Sequence, residues 1–341
     1  MSRKTNLLFA AGALVVACIL PFFVSNYTVF QLTLMFVYAI ALLGLNILTG
    51  YNGQISLGHG AFYAIGAYCA AILLDQGLLP YWATLPVAAV ACLVAGFLFG
   101  LPALRLEGLY LALATFALGV SMPQILKNHI VEKWTGGVQG ITIVKPDPPG
   151  WLEALGIKLN QDQWLYFFVL AVMLVMFFLG WNLLRGRVGR ALLAIRDHHT
   201  AAEVMGIDTA LFKSLTFGVS ALFTGVAGAL GAITVQFVAP DSFNVFLSIT
   251  FLVGIVIGGL ASLSGALYGA AFILFVPNIA TQLSQAAPWA IFGVFLIAFV
   301  YLMPMGVAGA LRQLLARLSR RKGSRSDTGA ASPAQTKEVT P

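Results

Sequence analysis

Two stretches concentrate the residues whose types could do chemistry. The first runs from Gly50 to Gly60 and reads Gly-Tyr-Asn-Gly-Gln-Ile-Ser-Leu-Gly-His-Gly, with Asn46 just before it. Asn46, Asn52, Gln54, Ser56 and His59 bring amide, hydroxyl and imidazole groups to a glycine-rich break in an apolar run. Such groups bind a solute by hydrogen bonding, and they equally satisfy the backbone of a broken helix. Ser56 is placed to cap a following helix, whose start carries partial positive charge suited to a carboxylate. The five residues are therefore a candidate substrate path. The second stretch, Arg185 to Lys213, reads RGRVGRALLAIRDHHTAAEVMGIDTALFK and holds five basic residues between two long apolar runs. Leu192, Leu193 and Ile195 alternate with charges at roughly helical spacing. Gly206 suits a helix stop and Asp208 a helix start. The pattern predicts one or two short helices lying against a membrane and offered to a cytoplasmic partner.

Several enzyme classes lack their motifs. There is no G-x-x-x-x-G-K-[ST] for ATP hydrolysis, no H-E-x-x-H for zinc proteolysis and no G-x-S-x-G nucleophile elbow. His198 and His199 are adjacent, so their side chains diverge on a helix and read as a solvated pair. Cys18, Cys69 and Cys92 each lie in an apolar run and read as small core residues.

The elements that must position these residues are membrane spans. Hydrophobic residues make up 60% of the 341 and charged residues only 9%, with a mean hydropathy of +0.91. A soluble domain carries about 25% charged residues. The expected fold is an all-α polytopic membrane protein of about ten transmembrane helices. They lie near 6–24, 29–49, 59–75, 81–103, 108–123, 163–184, 212–236, 244–260, 264–283 and 288–305, each close to the roughly 20 residues a span needs. The third, fifth and eighth are short enough to be tilted, broken or re-entrant. The first reads as a span, because the apolar run continues past Cys18 and no cleavage is expected.

Charge orients this array. With both termini in the cytoplasm, fifteen of the nineteen basic residues fall inside. The net charge of +7 is thereby explained by orientation in the membrane and implies no nucleic acid. The chain divides into a transmembrane domain, 1–311, and a basic tail, 312–341, expected to be disordered and to meet anionic lipid. Gly96 and Gly100, Gly254 and Gly258, Gly265 and Gly269, and Gly225, Gly228 and Gly231 stand at helix-packing spacing. Ionisable residues are nearly absent from the spans; only His59 and the pair Arg105 and Glu107 come close. A proton-coupled transporter usually places such groups in the membrane, so energy is expected from a partner on the cytoplasmic face. An outer loop, about 124–162, holds Trp134, Thr135, Gly136 and Gly137 and is a candidate docking surface for something delivered from outside. G-x-x-S-L occurs twice, from Gly53 and from Gly259, which leaves internal duplication open.

Four segments together resemble the permease subunits of branched-chain amino-acid ABC transporters, the M-type partner of an H/M pair. They are Gly44–Tyr68, Leu104–Gly119 with the later Thr135–Gly137, Gly189–Asp208 and Gly258–Phe272. In the third, Thr200-Ala201-Ala202 followed by Gly206 is similar to the E-A-A-x-x-x-G coupling motif, with Thr200 where the motif has its acid. The resemblance implies a translocation path for leucine, isoleucine and valine across the bacterial cytoplasmic membrane. Urea, short amides or other amino acids are the alternative cargo. It implies a second, H-type permease subunit, two cytoplasmic ATPase subunits and an extracytoplasmic binding protein. No cofactor is expected on this chain, since ATP would be used by the partner subunits. Arg190, Arg196, Thr200, Ala201, Ala202, Glu203 and Gly206 become the expected coupling residues, with Ala201 and Ala202 facing an ATPase groove. Thr135, Gly136 and Gly137 would form a tight turn beside an anchoring Trp134.

Overall fold

The computed structural model describes residues 12, 14–104, 106, 108–150, 159–283 and 288–314. The start of the expected first span (residues 6–11 and 13), Arg105, Glu107 and the tail from 315 onward lie outside the described residues.

The chain is almost entirely helical. Helix α1 (Asn26–Leu45) starts at Ser25, whose hydroxyl accepts from Thr28 N–H at 3.4 Å, and runs on into a π turn, Asn46–Tyr51. After a non-helical stretch come α2 (His59–Asp75), α3 (Tyr81–Ala103) and α4 (Leu109–Leu126). The outer loop holds one turn of helix, α5 (Glu132–Thr135), and a two-residue strand, β1 (Ile141–Thr142). Helix α6 (Gln161–Arg185) opens with a capping box between Asn160 and Gln163. Two short helices follow, α7 (Arg187–Asp197) and α8 (His199–Val204). Asp208 then caps α9 (Thr209–Val235), accepting from Leu211 N–H at 3.0 Å, the start expected from sequence. Beyond β2 (Phe237–Val238) lie α10 (Val245–Gly258), α11 (Leu263–Leu283), α12 (Pro288–Leu302) and α13 (Gly306–Leu314), the last two bent by 43° at their junction.

Among the described residues six helices are long and apolar enough to cross a membrane, or seven if the bent pair α12–α13 is one span. Helices α2 and α10 occupy two of the expected spans but have only 17 and 14 residues. At 1.5 Å per residue they cover about 25 and 21 Å, short of the roughly 30 Å hydrocarbon core. Expected α4, also read as short, reaches 18 residues.

Helix α9 is the axis of the bundle, packed against α1, α2 and α3, while α6, α10 and α11 close around α1. The approach of α2 to α9 is backbone to backbone. A side chain at Gly66 would strike the Gly225 carbonyl, and one at Gly228 the Tyr63 carbonyl. The glycine spacings seen in the sequence are thus spent within the subunit: Gly96 and Gly100 meet α9, and Gly258 meets Gly265. Cys92 is buried in this packing, whereas Cys18, expected in a core, is exposed on the outside of the N-terminal segment.

The end opposite α7 and α8 is tied down by the outer loop. Strand β1 pairs antiparallel with β2, Ile141 facing Val238, so the loop is stitched to the end of α9. Lys127 pairs with Asp241 at 2.6 Å, and Lys145 pairs with Asp162.

Candidate functional site

The non-helical stretch after the π turn organises the first site. Asn52, Gln54, Ser56 and Gly58 are buried, while Gly53 and Ile55 are exposed and Leu57 is half-buried. Alternation of this kind is that of an extended chain, one edge turned to the bundle and the other away. Leu57 N–H is held by Thr115 Oγ1 of α4 at 2.9 Å, and Gly60 N–H by Ser248 Oγ of α10 at 2.8 Å. The segment therefore lies between α4 and α10.

His59 begins α2 and is fully buried. Its Nε2 lies 2.7 Å from Ser220 Oγ, and its Nδ1 lies 2.9 Å from Ser56 Oγ. Ser220 spends its only proton on Gly44 carbonyl, at 2.6 Å. Ser220 must then accept from His59, so Nε2 carries the imidazole proton and Nδ1 accepts from Ser56. The result is one directed chain of bonds from Gly58 N–H through Ser56, His59 and Ser220 to Gly44. Ser56 does not cap α2 as expected. Gly58 is the N-cap, and the serine hydroxyl is engaged by His59.

Asn46 and Asn52 take different parts. Asn46 bonds the second G-x-x-S-L segment with both ends of its amide, donating to Ser262 carbonyl at 2.8 Å and accepting from Ala261 N–H at 2.9 Å. Asn52 donates to Gln54 Oε1 at 2.9 Å, and its own Oδ1 is buried without a hydrogen-bond partner. All five candidate path residues are thus satisfied internally on at least one atom, and one acceptor, Asn52 Oδ1, stays open.

The coupling stretch folds as the two short helices. Helix α7 buries Gly189, Leu192 and Ile195 on one face, spaced by three, against the bundle. Gly206 ends α8 with φ +82°, a conformation that favours glycine. In α8 the two adjacent alanines part company. Ala202 is buried within the subunit, 4% exposed, whereas Ala201 faces out. Neighbouring helix positions lie about 100° apart, and at the edge of the buried face one turns inward and the next outward. The outward surface instead carries Thr200, Ala201, Glu203, Val204 and Met205, the last two 83% and 82% exposed. Val204 and Met205 were not among the coupling residues expected from sequence. Glu203 accepts from Thr209 Oγ1 at 2.6 Å and so braces the turn into α9. Arg190 is exposed and forms no ion pair among the described residues. Arg196 does not point away from the membrane domain. Its NH1 donates to Gly50 carbonyl at 2.9 Å, and it pairs locally with Asp197.

At the far end, Thr135 is buried and donates to Leu126 carbonyl at 2.8 Å. Gly136 and Gly137 have φ +69° and +55° and make the tight turn expected there. Trp134, Ile130, Val138 and Val144 are each exposed on this loop.

Residues 27–304 match the family described as branched-chain amino acid transport system, permease component. The chain belongs to this family. It is 33% identical to the high-affinity branched-chain amino acid transport system permease protein LivM of Escherichia coli, over 87% of this chain and 75% of that one. It is 27% identical to the high-affinity branched-chain amino acid transport system permease protein BraD of Pseudomonas aeruginosa, over 70% of this chain and 80% of that one. The autoinducer 2 import system permease LsrC of Escherichia coli is more distant, 25% identical over 91% and 89%. No solved structure matches. Membership makes the chain a transport subunit embedded in a membrane.

Proposed function

We propose that this chain is one of two permease subunits of an ATP-binding-cassette importer and helps form the path that carries leucine, isoleucine and valine across the bacterial cytoplasmic membrane. ATP is hydrolysed on two separate subunits that dock on α8, no cofactor is held by this chain, and an extracytoplasmic binding protein delivers cargo at Trp134. Both termini face the cytoplasm, and ten membrane segments include the short α2 and α10. Residues 1–311 form the transmembrane domain and 312–341 a basic tail.

The observation that carries the reading is the non-helical stretch before α2. His59 touches Ser220, eleven residues into α9, or about 16 Å along that helix. Leu57 touches Thr115, six residues into α4. The stretch therefore climbs from the basic end to the middle of the membrane. Among the described residues the N–H groups of Ile55 and Ser56 make no hydrogen bond, and Ile55 is exposed. Irregular backbone at that depth is not exposed to lipid; it is covered by protein or lines a wet cavity. A second, H-type permease subunit facing this edge supplies both the cover and a path between subunits. Asn46, Asn52, Gln54, Ser56 and His59 stand at that path, with the open Oδ1 of Asn52 as an acceptor for a substrate ammonium.

The test is reconstitution of the four kinds of subunit in proteoliposomes, with labelled leucine, isoleucine and valine. Uptake that requires ATP and binding protein is expected. Uptake of urea or a short amide in their place moves the assignment to the alternative cargo. Uptake driven by an ion gradient without ATP sinks the importer reading. Within the same system Ala201→Trp is expected to remove the ATPase subunits on purification, because it overfills an outward contact. Ala202→Trp is not a clean test, since it disturbs the subunit's own packing.

A further inference from the structure

Two short helices, α7 and α13, each send one arginine to a different break. Arg196 of α7 donates to Gly50 carbonyl at the end of the π turn, at 2.9 Å. Its stem lies over Gly53, where a Cβ would stand 2.9 Å from Arg196 Cγ. Arg312 of α13 donates to Ser262 Oγ at 3.2 Å, between α10 and α11. The two breaks are joined to each other by Asn46, 1% exposed, which bonds Ala261 N–H and Ser262 carbonyl. Gly50 lies tight against the same place: a side chain there would strike Asn46 Oδ1 and Ala261 N. Ala261 itself has φ +55°, a conformation that residues other than glycine adopt only when held. A continuous line of contacts thus runs from α7 through Arg196, Gly50, Asn46 and Ser262 to Arg312.

We propose that Arg196, Asn46 and Arg312 are positioning residues that form one strut, through which displacement of the basic loop moves both breaks together. The inference rests on the reading of that loop as the ATPase-coupling element. It assigns no substrate contact to the arginines. A packed junction of this kind transmits displacement because it is not continuously deformable, and both ends of the strut sit on short helices that a partner can push.

The experiment compares Arg312→Gln, Arg196→Gln and the double variant in proteoliposomes holding the complete transporter. The readout is the ratio of substrate moved to ATP hydrolysed, with ATPase co-purification measured alongside. Each single variant is expected to keep its partners and to lower the ratio at least fivefold, with Arg312→Lys recovering half or more. The double variant is expected to fall no more than about twofold below the worse single, because the residues act in series. An unchanged ratio in both singles overturns the strut. So does a multiplicative double, which makes the two contacts independent, or a loss of uptake that only follows loss of assembled complex. If the unaltered chain does not co-purify with ATPase subunits, the coupling reading fails first and the strut falls with it. Co-purification with a normal ratio in the variants leaves that reading standing and removes the strut alone.

Discussion

The two G-x-x-S-L breaks share three letters over five positions and fold differently. From Gly53 the chain stays non-helical until Gly58, turns alternate side chains in and out, and enters α2 through the His59 hydrogen-bond chain. From Gly259 only a few residues separate α10 from α11, and the turn is closed by Ala261 at φ +55°. The first break leaves an exposed edge at Gly53 and Ile55; the second is a sharp corner. The shared letters mark where a helix must stop and polar backbone must be satisfied. What surrounds each break decides its use: the first has Ser220, Thr115 and Ser248 from three helices, the second chiefly Asn46. Glycine and serine at fixed spacing therefore announce a reversal without saying what it serves.

The largest expected effect comes from the residue both breaks share. Asn46→Ala removes two bonds at once and leaves Ala261 N–H and Ser262 carbonyl without their partner. Buried groups left unpaired cost about 1–3 kcal/mol each, and less where membrane neighbours substitute. We expect the midpoint of thermal unfolding in detergent to fall by several degrees. Asn46→Asp sets a carboxyl oxygen against Ser262 carbonyl in a buried site and should not restore the midpoint. Equal midpoints for Asn46→Ala and the unaltered chain would mean the breaks are independent.

The first break is then probed alone. His59→Ala empties a buried site and leaves the Ser56 and Ser220 hydroxyls without the ring. A loss of about 2–3 kcal/mol is expected from the cavity and the unmade bonds. His59→Gln places an amide near Nε2 and should recover part of it through Ser220. The assigned tautomer is also testable. A nitrogen-15 spectrum of histidine-labelled protein should show His59 protonated at Nε2 and bare at Nδ1. The reverse pattern would contradict the direction of the chain through Ser220 to Gly44.

Much of this was legible beforehand, and the rest for definite reasons was not. The positions of six of the ten expected spans followed from length and hydropathy, because a helix in lipid must satisfy its own backbone. The stop at Gly206 and the cap at Asp208 followed from local chemistry. Ala202 was misplaced because its burial depends on how α8 lies on its own subunit, which motif spacing does not encode. Arg196 read as a surface charge, yet its partner is a carbonyl 146 residues earlier. Arg312, taken as the first residue of the tail, meets Ser262 fifty residues back. Long-range pairs of this sort set the hub, and no local pattern announces them.

The smallest expected effect separates the breaks most cleanly, because it concerns sign. Gly53 has φ +75°, and a Cβ there would press on the stem of Arg196. Gly53→Ala should therefore destabilise, by about 1 kcal/mol from backbone strain alone. At the second break the residue with positive φ is already an alanine. Ala261→Gly relieves that strain and adds conformational freedom to the unfolded chain, two terms that oppose each other. With αL costing about 1–2 kcal/mol and the added freedom about 0.5–1, a net gain below about 1 kcal/mol is expected. If Asn46 holds Ala261 in place, the gain should persist and uptake should still weaken, since a looser corner transmits less displacement. Parallel measurement of unfolding midpoints and uptake decides it. A lowered midpoint for Ala261→Gly would show that the methyl group packs more strongly than the backbone is strained, and the two breaks would then differ in packing and not in tension.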